Sequence, residues 1–182
     1  VPDRSLWQAL GAAGVAFQVG GGIRTAELVA DAIEAGAARA VVGTAAVWEP
    51  ETMAAMLAAV GPSRVVAAID VRGGKAQGAG WLDAGRDVGD VLADLAAAGA
   101  VRALVTGIGR DGTMDGPDTD VLHHAGAVAP GLALIASGGV GSLEDLRALR
   151  PLGVEGVIVG RALYERRFSV AEALGAVGWD IG

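Results

Sequence analysis

Cysteine is absent from the 182 residues, which excludes disulfides, thiol nucleophiles and cysteine-held metals. Histidine is almost absent: His123 and His124 are the only two, and they are adjacent, so the sequence cannot gather a multi-histidine metal site. Aromatic residues make up 4%, so a core must be built from aliphatic side chains. Positive charge is sparse and has no run. With 14 Lys and Arg against 21 Asp and Glu, the formal net charge is −7. Such a chain is a poor match for nucleic acid or an anionic membrane, and neither is expected as a partner. An anionic ligand would have to be held by local devices, such as backbone amides or single arginines. No apolar run is long enough to span a bilayer and nothing resembles a secretory signal, so a soluble, cytoplasmic protein is expected.

What is present is hydrophobic residues at 52% and 30 glycines. Aliphatic runs separated by helical patterns and tight turns suit a parallel α/β fold, whose strands are covered on both faces. The runs predict strands at Ala16–Val19, Ala40–Val42, Val65–Ile69, Ala103–Thr106, Leu132–Ala136 and Gly156–Val159. Helices are expected at Thr25–Ala35, Pro50–Val60, Val88–Ala98, Asp118–Val128, Ser142–Leu149 and Ser169–Ala176. Thr25 and Ser142 are fit to cap helix N-termini, and Gly36, Gly99 and Gly153 to end helices. Six βα units without a linker predict one domain over residues 1–182, with right-handed crossovers.

An internal repeat sharpens this expectation. Val19-Gly20-Gly21-Gly22-Ile23-Arg24-Thr25 matches Ala136-Ser137-Gly138-Gly139-Val140-Gly141-Ser142 at an offset of 117 residues. The same offset carries Gly36 onto Gly153, Val41-Val42-Gly43 onto Ile158-Val159-Gly160, and Ala45 onto Ala162. A duplicated half-barrel explains the pattern. Strand Val65–Ile69 and the unit after it would find their repeat partners before Val1. The expectation is therefore a (β/α)₈ barrel with six units present and the first two missing from the N-terminus. Two equal halves would need about 235 residues, an ordinary size for a closed barrel. A complete barrel is expected to be monomeric, whereas an unclosed one has two exposed parallel edges and invites self-association.

The glycines carry the first chemistry. Gly20-Gly21-Gly22 follows a strand and precedes a helix, so backbone amides and the positive helix end can receive an anion. Gly43-Thr44 closes the next strand in the same way. Ser137-Gly138-Gly139 and Gly160-Arg161 repeat the arrangement. Four such loops at one barrel mouth form two phosphate sites, suited to a small molecule with a phosphate at each end. Asp70 ends the strand Val65–Ile69, on the side where barrel active sites lie, and is a candidate general acid or base. Thr106 ends the neighbouring strand, with Asp111 in the loop beyond it. Two carboxylates at one mouth suit a push–pull proton transfer. Trp81 lies in a glycine-rich loop and offers a stacking surface. His123-His124 reads as a solvated helix face, and Gly73-Gly74 as a possible hairpin turn.

Phe17–Thr25, Val42–Val47, Ile69–Arg72, Arg110–Thr113, Ile135–Val140 and Gly153–Tyr164 together resemble the histidine-biosynthesis ProFAR isomerase family, including its bifunctional phosphoribosyl isomerase A members. The resemblance spans nearly the whole chain. It implies a barrel enzyme that needs no metal or organic cofactor and performs an Amadori rearrangement. A bis-phosphorylated phosphoribosyl aminoaldose opens its ribose ring, loses a proton at the second carbon and becomes an aminoketose. By resemblance, Asp70 protonates the ring oxygen, and Thr106 and Asp111 are active-site residues. Gly21, Gly22, Arg24, Gly43, Thr44, Ser137, Gly138, Gly139, Gly160 and Arg161 make the phosphate grips, and Trp81 covers the substrate.

Some positions depart from the family. Its general base is an Asp at the end of the first strand, and no such strand is present in this sequence. Bifunctional members commonly have an Arg two residues before the Trp and a Ser before Gly-Gly-Ile-Arg; here Ala79 and Gly20 occupy those positions. Both differences favour the single-substrate isomerase. Gly107 stands where an acidic residue often follows the Thr. Three alternatives remain: a bifunctional isomerase also acting on phosphoribosylanthranilate, a truncated non-catalytic sugar-phosphate-binding module, and the related cyclase, which needs a glutaminase partner and ammonia.

Overall fold

The computed structural model describes residues 2–78 and 85–178. The elements in order are α1 (Arg4–Ala12), β1 (Gln18–Gly20), α2 (Ala26–Glu34), β2 (Arg39–Val42), α3 (Thr44–Trp48), α4 (Pro50–Val60), β3 (Val65–Arg72), β4 (Lys75–Gln77), β5 (Arg86–Asp87), α5 (Val88–Ala97), β6 (Arg102–Gly107), α6 (Thr119–Val128), β7 (Ala133–Ser137), α7 (Leu143–Leu149), β8 (Gly156–Ile158), α8 (Arg161–Tyr164) and α9 (Val170–Val177). Six strands pair in parallel in the order β1-β2-β3-β6-β7-β8. β4 and β5 extend β3 as a short antiparallel excursion, turned at Gly73-Gly74.

The helices form where a capped start meets an apolar stripe. α4 has Pro50 in its first turn, buries Met53, Met56 and Leu57 on one face, and stops at Gly61, whose φ of 85° no ordinary residue adopts readily. Each of those buried side chains contributes about 2 kcal/mol by leaving water. Asp87 caps α5 by accepting from the Gly89 amide. In α7, Ser142 and Asp145 make a reciprocal capping box.

The strands are covered unequally on their two faces. Along β3, Val65, Ala67, Ile69 and Val71 face the helices in the main core, while Val66 and Ala68 join Val41, Leu104 and Ile135 in a second cluster on the inner face. The sheet also curls. Arg39 begins β2 and Glu155 directly precedes β8, four strand spacings away, or about 19 Å across a flat sheet. Yet Arg39 Nη2 lies 3.2 Å from Glu155 Oε1, and Arg102 Nε, at the start of β6, lies 2.6 Å from Glu155 Oε2. Only a strongly curved sheet brings those ends together. The two edge strands accordingly face one cavity of about 550 Å³, lined by Gln18 and Gly20 of β1 and Ile158 of β8 as well as Val41, Leu104 and Ile135. Half of a parallel barrel is thus formed, consistent with the expected fold.

The repeat is visible in the backbone. Gly21 and Gly22 have φ of 97° and 71°; Gly138 and Gly139, 117 residues on, have 91° and 83°. Thr25 and Ser142 cap helices from the same extended conformation, and Gly43-Thr44 and Gly160-Arg161 each open a short helix. No described helix is long and apolar enough to cross a membrane.

Candidate active site

Strand register and alternation decide which side chains meet at the barrel mouth. Asp70 pairs in register with Thr106, and Thr106 with Ser137. All three share the inner-facing parity of Val66, Leu104 and Ile135, so they form one row on the inner face at the C-terminal ends of adjacent strands. Each is partly buried. The row extends to Ile158, the register partner of Ser137.

Asp111 lies outside that row, on the loop that follows β6. This loop folds over the start of the β7 loop. The Ile108 amide donates to the Val71 carbonyl at 3.0 Å, and the Gly116 amide to the Gly139 carbonyl at 2.9 Å. The contact is so close that Gly138, Gly139 and Gly141 have no room for a side chain. A Cβ on Gly138 would lie 3.0 Å from the Gly107 oxygen and 3.5 Å from Asp111 Cα; one on Gly139 would overlap the Gly116 oxygen; one on Gly141 would lie 2.5 Å from the Met114 oxygen. Asp111, Ser137, Gly138, Gly139, Gly160 and Arg161 then border a cavity of about 90 Å³. That is space for an ion-sized group between two loops rich in backbone donors.

The first-half loops are more open. Gly21, Gly22, Arg24 and Gly43 are exposed and Thr44 is half-buried at the first position of α3. A Cβ on Gly21 would meet nothing within 4 Å. Gly20 and Gly21 border a cavity with Pro2 and Asp3, and Asp3 caps α1 by accepting from the Ser5 and Leu6 amides. Trp81 and Ala79 lie outside the described residues. His123 and His124 are exposed on α6, as expected. Gly107, the position without an acidic side chain, is buried against Asp118: a Cβ there would lie 2.7 Å from Asp118 Cβ. Asp118 in turn caps α6 by accepting from the Val121 amide. Sequence reasoning had no signal for this packing, which joins a strand end to a helix cap.

The described residues thus place polar side chains on adjacent strand ends, with repeat-related glycine loops at the same end of the sheet and a small cavity at the second of them. A scan against family models matches residues 5–169 to the family described as histidine biosynthesis protein. The chain belongs to the histidine biosynthesis protein family.

Among relatives, the 1-(5-phosphoribosyl)-5-((5-phosphoribosylamino)methylideneamino) imidazole-4-carboxamide isomerase of Arthrobacter sp. strain FB24 is 41% identical over 176 residues, 95% of this chain and 70% of the relative. The isomerase of the same name from Moorella thermoacetica is 45% identical over 167 residues, 90% and 68%. Phosphoribosyl isomerase A of Streptomyces avermitilis is 42% identical over 170 residues, 92% and 69%. These family members are isomerases by name, so the chain is similar to enzymes rather than to binding modules alone. About 70% of the length of such a relative is covered by the match.

Proposed function

We propose that this protein is an aldose–ketose isomerase of histidine biosynthesis, catalysing the Amadori rearrangement of the bis-phosphorylated ribosyl aminoimidazole carboxamide ProFAR to its ketose, PRFAR. The observation that carries the reading is the inner-facing row Asp70–Thr106–Ser137, set by strand register beside the small cavity that Asp111, Ser137–Gly139, Gly160 and Arg161 border. In this reading the backbone there grips one phosphate, and the repeat-related loops Gly20–Gly22 and Gly43-Thr44 grip the other. A substrate with a phosphate at each end spans the mouth, so its reacting ribose lies over the row. Both phosphates contribute binding energy remote from the chemistry, which holds the ribose in place.

In this reading Asp70 is the general acid that donates to the ribose ring oxygen as the C1–O bond breaks. The nitrogen lone pair forms the C=N bond of a Schiff base. Loss of the C2 proton then gives an enolamine, and tautomerisation gives the ketose. Thr106 hydrogen-bonds the substrate hydroxyls beside Asp70, and Asp111 orients the sugar from the loop above. The family's C2 base is an Asp on a first strand that precedes β1 in the barrel order. Arg24, exposed just after Gly20–Gly22, supplies positive charge near the first phosphate, and Trp81 stacks on the substrate's flat ring.

The test is the pair Asp70→Asn and wild type, assayed for ketose formation and for inorganic phosphate binding. Turnover falls at least a hundredfold, the size expected for loss of a general acid, while phosphate affinity stays within about threefold. Wild-type-like turnover in the variant would refute the role given to Asp70. Phosphoribosylanthranilate, supplied to the wild type in the same assay, distinguishes the bifunctional enzyme from the single-substrate one.

A further inference from the structure

The side chain of Arg161 leaves the first turn of α8 and crosses to the β6 loop, 49 residues earlier in the chain. Its Nη1 donates to the Gly112 carbonyl oxygen at 2.8 Å, and its Nε donates to Glu165 Oε1 at 2.6 Å. Gly112 is the residue next to Asp111. The two ends of this loop are tied elsewhere, by the Ile108 amide on Val71 and the Gly116 amide on Gly139. The loop is also under local strain, since Met114 has a left-handed φ of 64°. Bonds within the loop, from Thr113 to Arg110 and from Arg110 to Asp115, stiffen it but anchor it to nothing. Among the described residues, the hydrogen bond that reaches the middle of the loop from another strand's loop is that of Arg161.

The repeat supplies a contrast. At the offset of 117, Arg161 corresponds to Thr44, whose short side chain cannot cross to a neighbouring loop. Both halves place backbone amides and positive-φ glycines around the anion pocket, so the phosphate grip does not depend on a guanidinium. The first half carries an arginine too, Arg24, but it is exposed just after Gly20–Gly22, so among the described residues a guanidinium crossing from the short helix to a neighbouring loop belongs to the second half. A planar fork with two of its donors committed to fixed acceptors is suited to hold one geometry.

We propose that Arg161 is a positioning residue that straps the Asp111-Gly112 segment over the second anion pocket. The backbone grips the phosphate, and Arg161 acts on the substrate through Asp111. The assignment of Asp111 to catalysis rests on the isomerase reading above; the strap itself does not.

The test uses Arg161→Met in the purified protein, with Glu165→Gln as a second variant that loosens the guanidinium without touching the pocket. Three quantities are measured: hydrogen exchange at the amides of residues 111–113, the dissociation constant for inorganic phosphate, and kcat with KM for the isomerisation. For Arg161→Met, exchange rises about tenfold, as expected when a local closing contact is lost. The phosphate constant and KM stay within about threefold, while kcat falls tenfold to a hundredfold through misplacement of Asp111. Glu165→Gln shows the same pattern at smaller size. Unchanged exchange in both variants overturns the strap. A tenfold weaker phosphate constant with exchange and kcat unchanged also overturns it and makes Arg161 a phosphate ligand. If the wild type shows no turnover, the isomerase reading fails alone, and the exchange and phosphate measurements still decide the strap.

Discussion

Gly21 and Gly138 share one place in the repeat and nearly one backbone conformation, but their surroundings differ. So do those of Gly22 and its counterpart Gly139. Gly138 and Gly139 are buried beneath the β6 loop, whereas Gly21 and Gly22 are exposed. Gly139→Ala forces a Cβ into the Gly116 carbonyl at a φ of 83°, and we expect a loss of about 3 kcal/mol. Gly21→Ala meets only its own φ of 97° and costs about 1 kcal/mol. Thermal unfolding should separate them, with the drop in Tm clearly larger for Gly139→Ala; equal drops would mean that the β6 loop yields. The sequence displayed these glycines as four equivalent loops. Nothing local could show that two of them are covered, because the covering atoms belong to residues 107–116. The positions of Asp70 and Thr106 were legible, because strand-end placement follows from aliphatic runs. The reach of Arg161 to Gly112 was not, because it depends on where two loops lie in space.

Among the elements, all six expected strands and six expected helices form, with ends shifted by at most three residues. The largest shifts are at β1, which runs Gln18–Gly20 rather than Ala16–Val19, and at β3, which continues through Arg72 because β4 pairs with its end. Gly73-Gly74 makes the hairpin turn that the sequence suggests, since paired glycines permit both positive φ values. Helix α1 was not predicted, although Asp3 and the spacing of Leu6, Trp7 and Leu10 are ordinary helix signals. The short helices α3 and α8 were also missed; at five and four residues they are too short to show a period. At this scale the capping box of α7 is the most consequential local device, because it ends the β7 loop. Asp145 Oδ2 accepts from both the Gly141 and Ser142 amides at 2.9 Å, while Ser142 Oγ accepts only from the Asp145 amide. Asp145→Ala should therefore cost more than Ser142→Ala, about 2 against about 1 kcal/mol. Denaturant titration of the two variants checks the order, and a larger loss for Ser142→Ala would contradict it.

Across the whole molecule, the curvature that makes a mouth for the site is tied at the opposite end of the strands by Glu155, held between Arg39 and Arg102. The hydrogen bond from Arg102 is the main reason its carboxyl titrates below its ordinary value of 4.5, with the charges of Arg102 and Arg39 adding to it. A carboxyl depressed on folding contributes stability that is complete above its unfolded value and fades as pH falls through its folded one. Glu155→Gln should therefore lower Tm at neutral pH, and the gap to wild type should close in the acid range below pH 4.5. A gap that is independent of pH would remove Glu155 from the acid response. Local pattern could not announce this tie, because its partners stand 116 and 53 residues apart. The duplicated half-barrel, by contrast, was readable throughout, because repeated glycines at a fixed offset survive in the sequence whatever the tertiary contacts.

The same tie bears on how the chain matures. Both arginines precede Glu155, and synthesis delivers the chain from its N-terminus at about 5–20 residues per second. β2, β3 and β6 can therefore pair, with Arg64 donating to the Ala38 carbonyl and Arg102 to the Ser63 carbonyl, before the carboxylate that joins Arg39 to Arg102 has emerged. The Glu155 tie on the curvature therefore closes only after those strands have been made. Until then its inner apolar face, with Val66, Leu104 and Ile135, is the surface a chaperone would meet.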